Sequence, residues 1–456
     1  MLLAKSRQLL VLLALLCGPN AMDELAASKK NRPSSSVSPV KKTILRRLGP
    51  GLITGASDDD PSGIGTYSQA GAQLGFAIGW TMLLTYPLMV AIQEISARIG
   101  RTTGHGIAGN LCRHYPNWLL QSIVTLLFIA NTVNIGADLS AMADATKLLI
   151  GGPTVLYVVL FAAICVIGIV FVNYDRYALI LKWMTLSLFS YVAVVFAVQV
   201  PWAEALGGVL VPRIVWSNEF FTTLLAIFGT TISPYLFFWQ ASEEAEEVHA
   251  NHRRKSLLRA PRQAVDAFSR IRADTLIGMA FSNVIALAII FATAATLNKA
   301  GITDVETSAQ AAEALRPIVG DFAFAIFAFG IVGTGLLAVP ILAGAAAYAI
   351  GEARRWPVGL SRRPGEAVAF YSTLAAATGL GAAITFGPID PIKALYWTAV
   401  VNGVVAVPVM TVMMIMTGQP KVMGDFTVKG WLRWLGWAST IAMAMCMVGM
   451  LMSWFM

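Results

Sequence analysis

The chain has 456 residues, of which 57% are hydrophobic and 13% charged, with a mean hydropathy of +0.67 and a formal charge of +8. So little polar surface cannot cover a water-soluble globule of this size, which excludes a soluble enzyme or a soluble binding module. The positive charge does not point to nucleic acid, because Lys and Arg fall in alternate loops (41–47, 98–113, 176–182, 253–272, 354–363 and 421–433) rather than on one patch. That alternation is the positive-inside pattern of a membrane protein with its N-terminus in the cytoplasm.

At the start, Lys5 and Arg7 followed by the apolar stretch 9–16 imitate a signal peptide, but the stretch is too short to cross a bilayer. Cleavage after it would also leave the basic segment 29–47 outside, against the charge pattern. Residues 1–21 are therefore read as an over-extended start, with Met22 the alternative initiator. The Pro/Ser-rich segment 33–39 makes 1–44 a disordered cytoplasmic tail. Residues 45–456 form the membrane domain.

Apolar runs of about 20 residues, each enough to span about 30 Å as helix, then follow one another to the end of the chain. The first, 48–71, is interrupted by Asp58-Asp59-Asp60-Pro61-Ser62-Gly63, where Pro61 removes a backbone donor and disfavours helix for Asp60. Spans at 76–99, 118–142, 154–172 and 178–200 follow. The sixth, 220–239, is broken at Ile232-Ser233-Pro234-Tyr235. Runs at 276–297, 322–350, 367–386, 394–416 and 432–455 complete about eleven spans, which places the C-terminus outside.

Interruptions in the first and sixth spans predict an all-α transporter of LeuT-like fold. It consists of two inverted five-helix repeats, about 45–200 and 218–418, with an extra helix over about 430–456. Irregular backbone at that depth is tolerable only against protein or a wet cavity, so both breaks line one cavity.

Asp60 is the leading site residue, because an ionised carboxylate in mid-membrane is costly unless paired, and its span offers no cation. A transported cation would be the partner. Carbonyls freed at Ser57 and Thr230 and the hydroxyls of Thr230 and Ser233 are further oxygen donors. For Asp58 and Asp59 the plainer alternative is a wet vestibule or a helix N-cap after Pro61, and the same alternative stands for Asp60. Asn402 in the tenth span, with Trp239 and Gln240, could orient water around an ion. Glu243 and Glu247 share a helix face at the inner end of the sixth span, either drawing cations or forming a solvated helix end beside His249 and Arg254. The four cysteines show no metal or disulfide spacing, no span carries a histidine, and no P-loop is present, so neither a cofactor nor ATP is implied.

These residues resemble the Nramp divalent-metal transporters. Leu48-Gly49-Pro50-Gly51 leading to Asp60-Pro61-Ser62-Gly63 is similar to the family's first helix with its Asp-Pro-Gly-Asn signature. Residues 93–104 resemble the end of its second helix, Ala137-Asp138-Leu139 its third, and 229–235 the Met-Pro-His segment of its sixth. The resemblance implies metal ligation by Asp60 and the equivalents of the family's other ligands. Here Gly63 replaces the asparagine, Ser233 the methionine and Tyr235 the histidine, while Ala141 replaces the third helix's second acid and Asp138 keeps the first. These departures resemble the Nramp-related magnesium transporters. Loss of the thioether makes the site harder, and the smaller residues leave room for the waters that Mg²⁺ retains. The expected cargo is Mg²⁺ or Mn²⁺, moved by alternating access across a bacterial inner membrane with weak or absent proton coupling. The alternatives are a conventional proton-coupled Mn²⁺/Fe²⁺ importer and a cation-coupled amino-acid symporter of the same fold. The symporter would not be expected to place an acid at the first break.

Overall fold

In a bilayer every backbone N–H and C=O must be satisfied inside the protein, so a chain of this composition resolves into helices. The computed structural model describes residues 55, 57–171, 188–198, 200–250, 254–305, 307–387 and 390–454, and among these it is helical without a strand. The expected tail over 1–44, the beginning of the first span, the first half of the fifth and residues 388–389 lie outside the described residues.

The first span resumes after its break as α1 (Pro61–Leu74) and turns through a short 3₁₀ segment into α2 (Trp80–Thr103), bent by 110° from it. A short connector, α3 (Ile107–His114), precedes the third and fourth spans, α4 (Asn117–Ile150) and α5 (Thr154–Phe171). The described part of the fifth span is α6 (Phe189–Ala197), followed by a short helix, α7 (Trp202–Leu210), that the hydropathy pattern does not predict. The sixth span is two helices, α8 (Asn218–Thr231) and α9 (Pro234–Ala250). Next come α10 (Ala264–Thr293), which ends in a π-helical turn, and two short connectors, α11 (Ser308–Glu313) and α12 (Arg316–Val319). The last spans are α13 (Ala323–Ala353), α14 (Val368–Ile384), α15 (Pro391–Thr417) and, after a short α16 (Pro420–Met423), α17 (Gly430–Ser453). Seven of the helical segments are long and apolar enough to cross a membrane by themselves, counting the two halves of the sixth span as one, and α1 with α2 adds a bent pair.

Both predicted interruptions are present and both helices restart on a proline, Pro61 and Pro234, whose fixed φ suits the first helical turn. Close helix contact around them depends on residues without side chains. A Cβ at Gly229, just before the second break, would lie 2.0 Å from the Ala399 carbonyl oxygen of α15, and one at Gly100 of α2 would lie 2.0 Å from the Ala241 carbonyl of α9. With lipid on the outside, such backbone approach supplies the packing that holds spans together. Gly229→Val should therefore force α8 and α15 apart, costing about 1–3 kcal/mol, whereas Gly207→Val, in open space on α7, should not act through overpacking. Thermal unfolding of the two variants in detergent is expected to show a lowered midpoint for the first and a much smaller change for the second.

Candidate cation site

Asp60 stands in extended conformation (φ −68°, ψ 171°) immediately before α1 and caps it. Its Oδ1 accepts hydrogen bonds from the Ser62 hydroxyl at 2.6 Å and the Gly63 amide at 2.8 Å. The N-cap that composition left as an alternative is thus present, yet it occupies only one carboxylate oxygen. Oδ2 faces away from the helix, 3.2 Å from Asn134 Nδ2 on α4 and 3.4 Å from the Tyr235 hydroxyl on α9. That hydroxyl has one proton and lies nearer the Ser57 carbonyl, at 3.0 Å, so it donates there and Asn134 is the principal donor to Oδ2.

Asn134 also reaches Asp138 one helical turn along, at 3.5 Å. One amide therefore lies between two carboxylates that are 2% and 0% exposed, while Asn134 Oδ1 and Asp138 Oδ1 have no hydrogen-bond partner. Among the described residues no Lys, Arg or His forms an ion pair with either acid. The arrangement concentrates negative charge and acceptor oxygens without a protein cation, which a bound cation would compensate.

The second break meets the first at Gly63. A Cβ there would lie 3.3 Å from Thr230 Oγ1 and from the Tyr67 ring, and 3.4 Å from the Asp58 carbonyl. Ser57, Asp60 and Gly63 are thereby gathered with Thr230 and Tyr235, and Asp138 joins them through Asn134. Ser233 is engaged locally: its hydroxyl, with one proton to share, lies 2.9 Å from both the Gly229 and the Thr230 carbonyl oxygens. The carbonyls expected to be free are therefore hydrogen-bonded, at Ser57 by Tyr235 and at Thr230 by Ser233, and each keeps one lone pair for a cation. Asn402 is 1% exposed with neither polar atom partnered, and the adjoining Ala399 and Gly403 touch Gly229 at the second break.

Asp58 and Asp59 are turned elsewhere. Both approach the Ser282 hydroxyl of α10, at 2.6 and 3.1 Å. At the inner end of α9, Glu247 pairs with Arg254 and with Arg270 at 3.5 Å, so its carboxylate serves a helix end neutralised by arginines rather than standing free to draw cations. Glu244 holds Arg270 at 2.6 Å, and Glu246 accepts from the Tyr348 hydroxyl and the Leu360 amide. Trp239 packs edge-on against Tyr348, and Gln240 accepts from Gln93 at 3.4 Å.

Among the described residues no group of three or more His, Cys, Asp and Glu side chains converges in the manner of a conventional metal centre. A metal here would depend on two carboxylates supplemented by amide, hydroxyl and carbonyl oxygens, a donor set suited to hard cations. Sequence reading passed over Asn134, Ser282 and Tyr67. Asn134 had a signal: it precedes Asp138 by four residues within the third span, so both share one helix face.

A family profile described as Natural resistance-associated macrophage protein-like, Nramp, matches residues 51–453. The chain is 24% identical over 415 residues to the divalent metal cation transporter MntH of Klebsiella pneumoniae, covering 89% of this chain and 93% of that protein. It is 27% identical over 306 residues to MntH of Bradyrhizobium diazoefficiens, covering 65% of each. Among solved structures, the Eremococcus coleocola manganese transporter superposes with a TM-score of 0.69 at 18% identity, over 92% of this chain and 88% of that one. A Na⁺-coupled sialic acid symporter superposes at 0.55 with 11% identity, over 91% and 93%, which carries fold alone.

The bridging amide gives a direct test. Asn134→Ala removes the donor that lies between Asp60 and Asp138, leaving two buried carboxylates to face each other, and should lower stability in metal-free buffer by about 1–3 kcal/mol. Denaturant or thermal unfolding in detergent would measure it, and Mn²⁺ should restore part of the loss if a cation replaces the amide's role.

Proposed function

Because the chain belongs to the Nramp family, it is a multi-pass divalent metal cation transporter, and we propose that its cargo is a hard, partly hydrated cation such as Mg²⁺ or Mn²⁺, held between the breaks of the first and sixth spans. The observation that carries this reading is Asp60: a 2%-exposed carboxylate at a helix break, with Asp138 beyond a shared amide and no protein cation paired to either. Oxygen donors from Ser57, Thr230, Tyr235 and Asn402 complete the proposed set. Ser233, occupied with two carbonyls, tunes the site through them and offers its remaining lone pairs.

Hardness follows from what the sixth break lacks. Soft cations gain from sulfur, and Ser233 stands where related proteins are expected to carry a thioether. Gly63 carries no side chain where a Cβ would already lie 3.3 Å from Thr230 Oγ1 and the Tyr67 ring, so nothing at that position competes with the oxygen donors around an ion that sheds its hydration shell reluctantly. A symporter for amino acids is disfavoured, since a substrate carboxylate would meet Asp60 and Asp138.

Polar contacts between helices on both sides of the breaks support a reading of alternating access. Toward one end, Thr223 links Gln73 at 2.7 Å to Tyr396 at 2.9 Å, joining α1, α8 and α15. Toward the other, Gln93 and Ser96 of α2 bond the Leu236 and Phe237 carbonyls of α9, the former at 3.1 Å. In the proposed cycle, one of these sets parts to admit a cation to Asp60. With the N-terminus cytoplasmic in an inner membrane, each positive charge gains about 2.3 kcal/mol per 100 mV on entry, which makes import the favoured direction.

Asp60→Ala should abolish divalent uptake into proteoliposomes while the protein still folds, because burial of a charge is relieved together with the ligand; transport at the wild-type rate would refute the assignment. In a panel of Mg²⁺, Mn²⁺, Ca²⁺, Fe²⁺ and Cd²⁺, the wild type should favour Mg²⁺ or Mn²⁺. Ser233→Met, which adds sulfur and displaces water, should raise Cd²⁺ competition by roughly tenfold or more relative to Mg²⁺. An unchanged preference would remove Ser233 from the selectivity set.

A further inference from the structure

Three consecutive aspartates precede Pro61, and the reading above uses only the last. Asp58 and Asp59 are 1% and 2% exposed, as deeply buried as Asp60, but they share none of its hydrogen-bond partners. Asp60 turns to Ser62, Gly63, Asn134 and Tyr235. Asp58 and Asp59 turn to α10, where Ser282 Oγ lies 2.6 Å from Asp58 Oδ2 and 3.1 Å from Asp59 Oδ1.

A serine hydroxyl has one proton, so it can satisfy only one of these two oxygens at a time. Asp58 Oδ1 and Asp59 Oδ2 are buried with no partner at all. Four carboxylate oxygens thus share one donated proton in a place without water-facing surface, and among the described residues no Lys, Arg or His pairs with either acid. Tyr67, whose ring lies against Gly63, is itself fully buried. Two adjacent buried carboxylates with open lone pairs are a costly arrangement that a cation would stabilise.

Charge decides the class of ion. When both are ionised, Asp58 and Asp59 carry two negative charges between them, which a single divalent ion offsets. We infer that Asp58, Asp59 and Ser282 form a second hard divalent-cation site, on the seventh-span side of the unwound segment, separate from the Asp60 site and loaded together with it. The inference concerns a different set of oxygens from the proposed cargo site and does not require the latter to be correct.

The test is Mn²⁺ binding to the purified full-length protein in detergent, by equilibrium dialysis with metal analysis and by electron paramagnetic resonance. The wild type should bind two Mn²⁺ ions, with a spectrum broadened by coupling between neighbouring ions. Asp58→Asn/Asp59→Asn should bind one, with a narrow uncoupled spectrum. Binding of a single ion by the wild type, as expected if the pair merely shares a proton, would overturn the inference, as would two ions in the double variant. Ser282→Ala keeps both charges and removes only the hydroxyl; it should weaken the second ion's binding roughly tenfold, and unaltered binding there also counts against the site should the double variant fail to fold. Asp60→Asn, which retains a good helix cap, separates the two readings: one remaining ion leaves both standing, whereas two remaining ions refute the cargo assignment and not this one.

Discussion

Everything in this protein's centre turns on the cost of placing carboxylates where water is scarce and no basic side chain is paired with them. Asp58, Asp59, Asp60 and Asp138 are each at most 2% exposed. Helix-capping, one asparagine and two serines supply donors to some of their oxygens and leave others bare. An ionised group in that position is tolerated when something mobile and positive can join it, which is also what a cation carrier requires. The destabilising feature and the functional one are the same feature.

The helix breaks make the arrangement possible. Pro61 and Pro234 restart their helices on either side of it, so that a cap residue and a tyrosine from distant segments meet within 3.4 Å. Unwinding exposes carbonyls, and the structure covers them with nearby hydroxyls, Tyr235 on Ser57 and Ser233 on Thr230. These bonds are reversible, so the same oxygens can be lent to an ion when the breaks rearrange. Around them, glycines at the contacts of α2 with α9 and of α8 with α15 bring backbones into close approach.

Membership of the Nramp family supplies the chemistry of cargo in outline, and in the proposed reading the departures at Gly63, Ser233, Tyr235 and Ala141 from the family's motifs shape it in detail. Each replaces a larger or softer ligand by something smaller, harder or apolar. Tyr235 is the instructive case. In place of an imidazole it offers a phenol that donates to backbone and stands within reach of Asp60, so the position keeps a polar contact with the acid while giving up a base.

Length, hydropathy and charge alternation determined that the chain is helical and crosses a membrane repeatedly, because those properties follow from local burial in lipid and from nothing remote. The two breaks were equally legible, since proline acts on its own backbone. Asp60 stood out because its cost could be reckoned from one span alone. What only the tertiary structure decided was partnership. Nothing in the neighbourhood of Asp58 names Ser282, which is 224 residues away, and nothing near Asp60 requires Asn134 rather than another polar residue of the third span. The same holds for Glu247, whose pairing with Arg270 depends on α10 bringing that arginine beside the end of α9. Which oxygens are satisfied and which are left open for a cation is set by contacts between helices, and those contacts are fixed by small-residue packing across the bundle rather than by any periodicity within a single span.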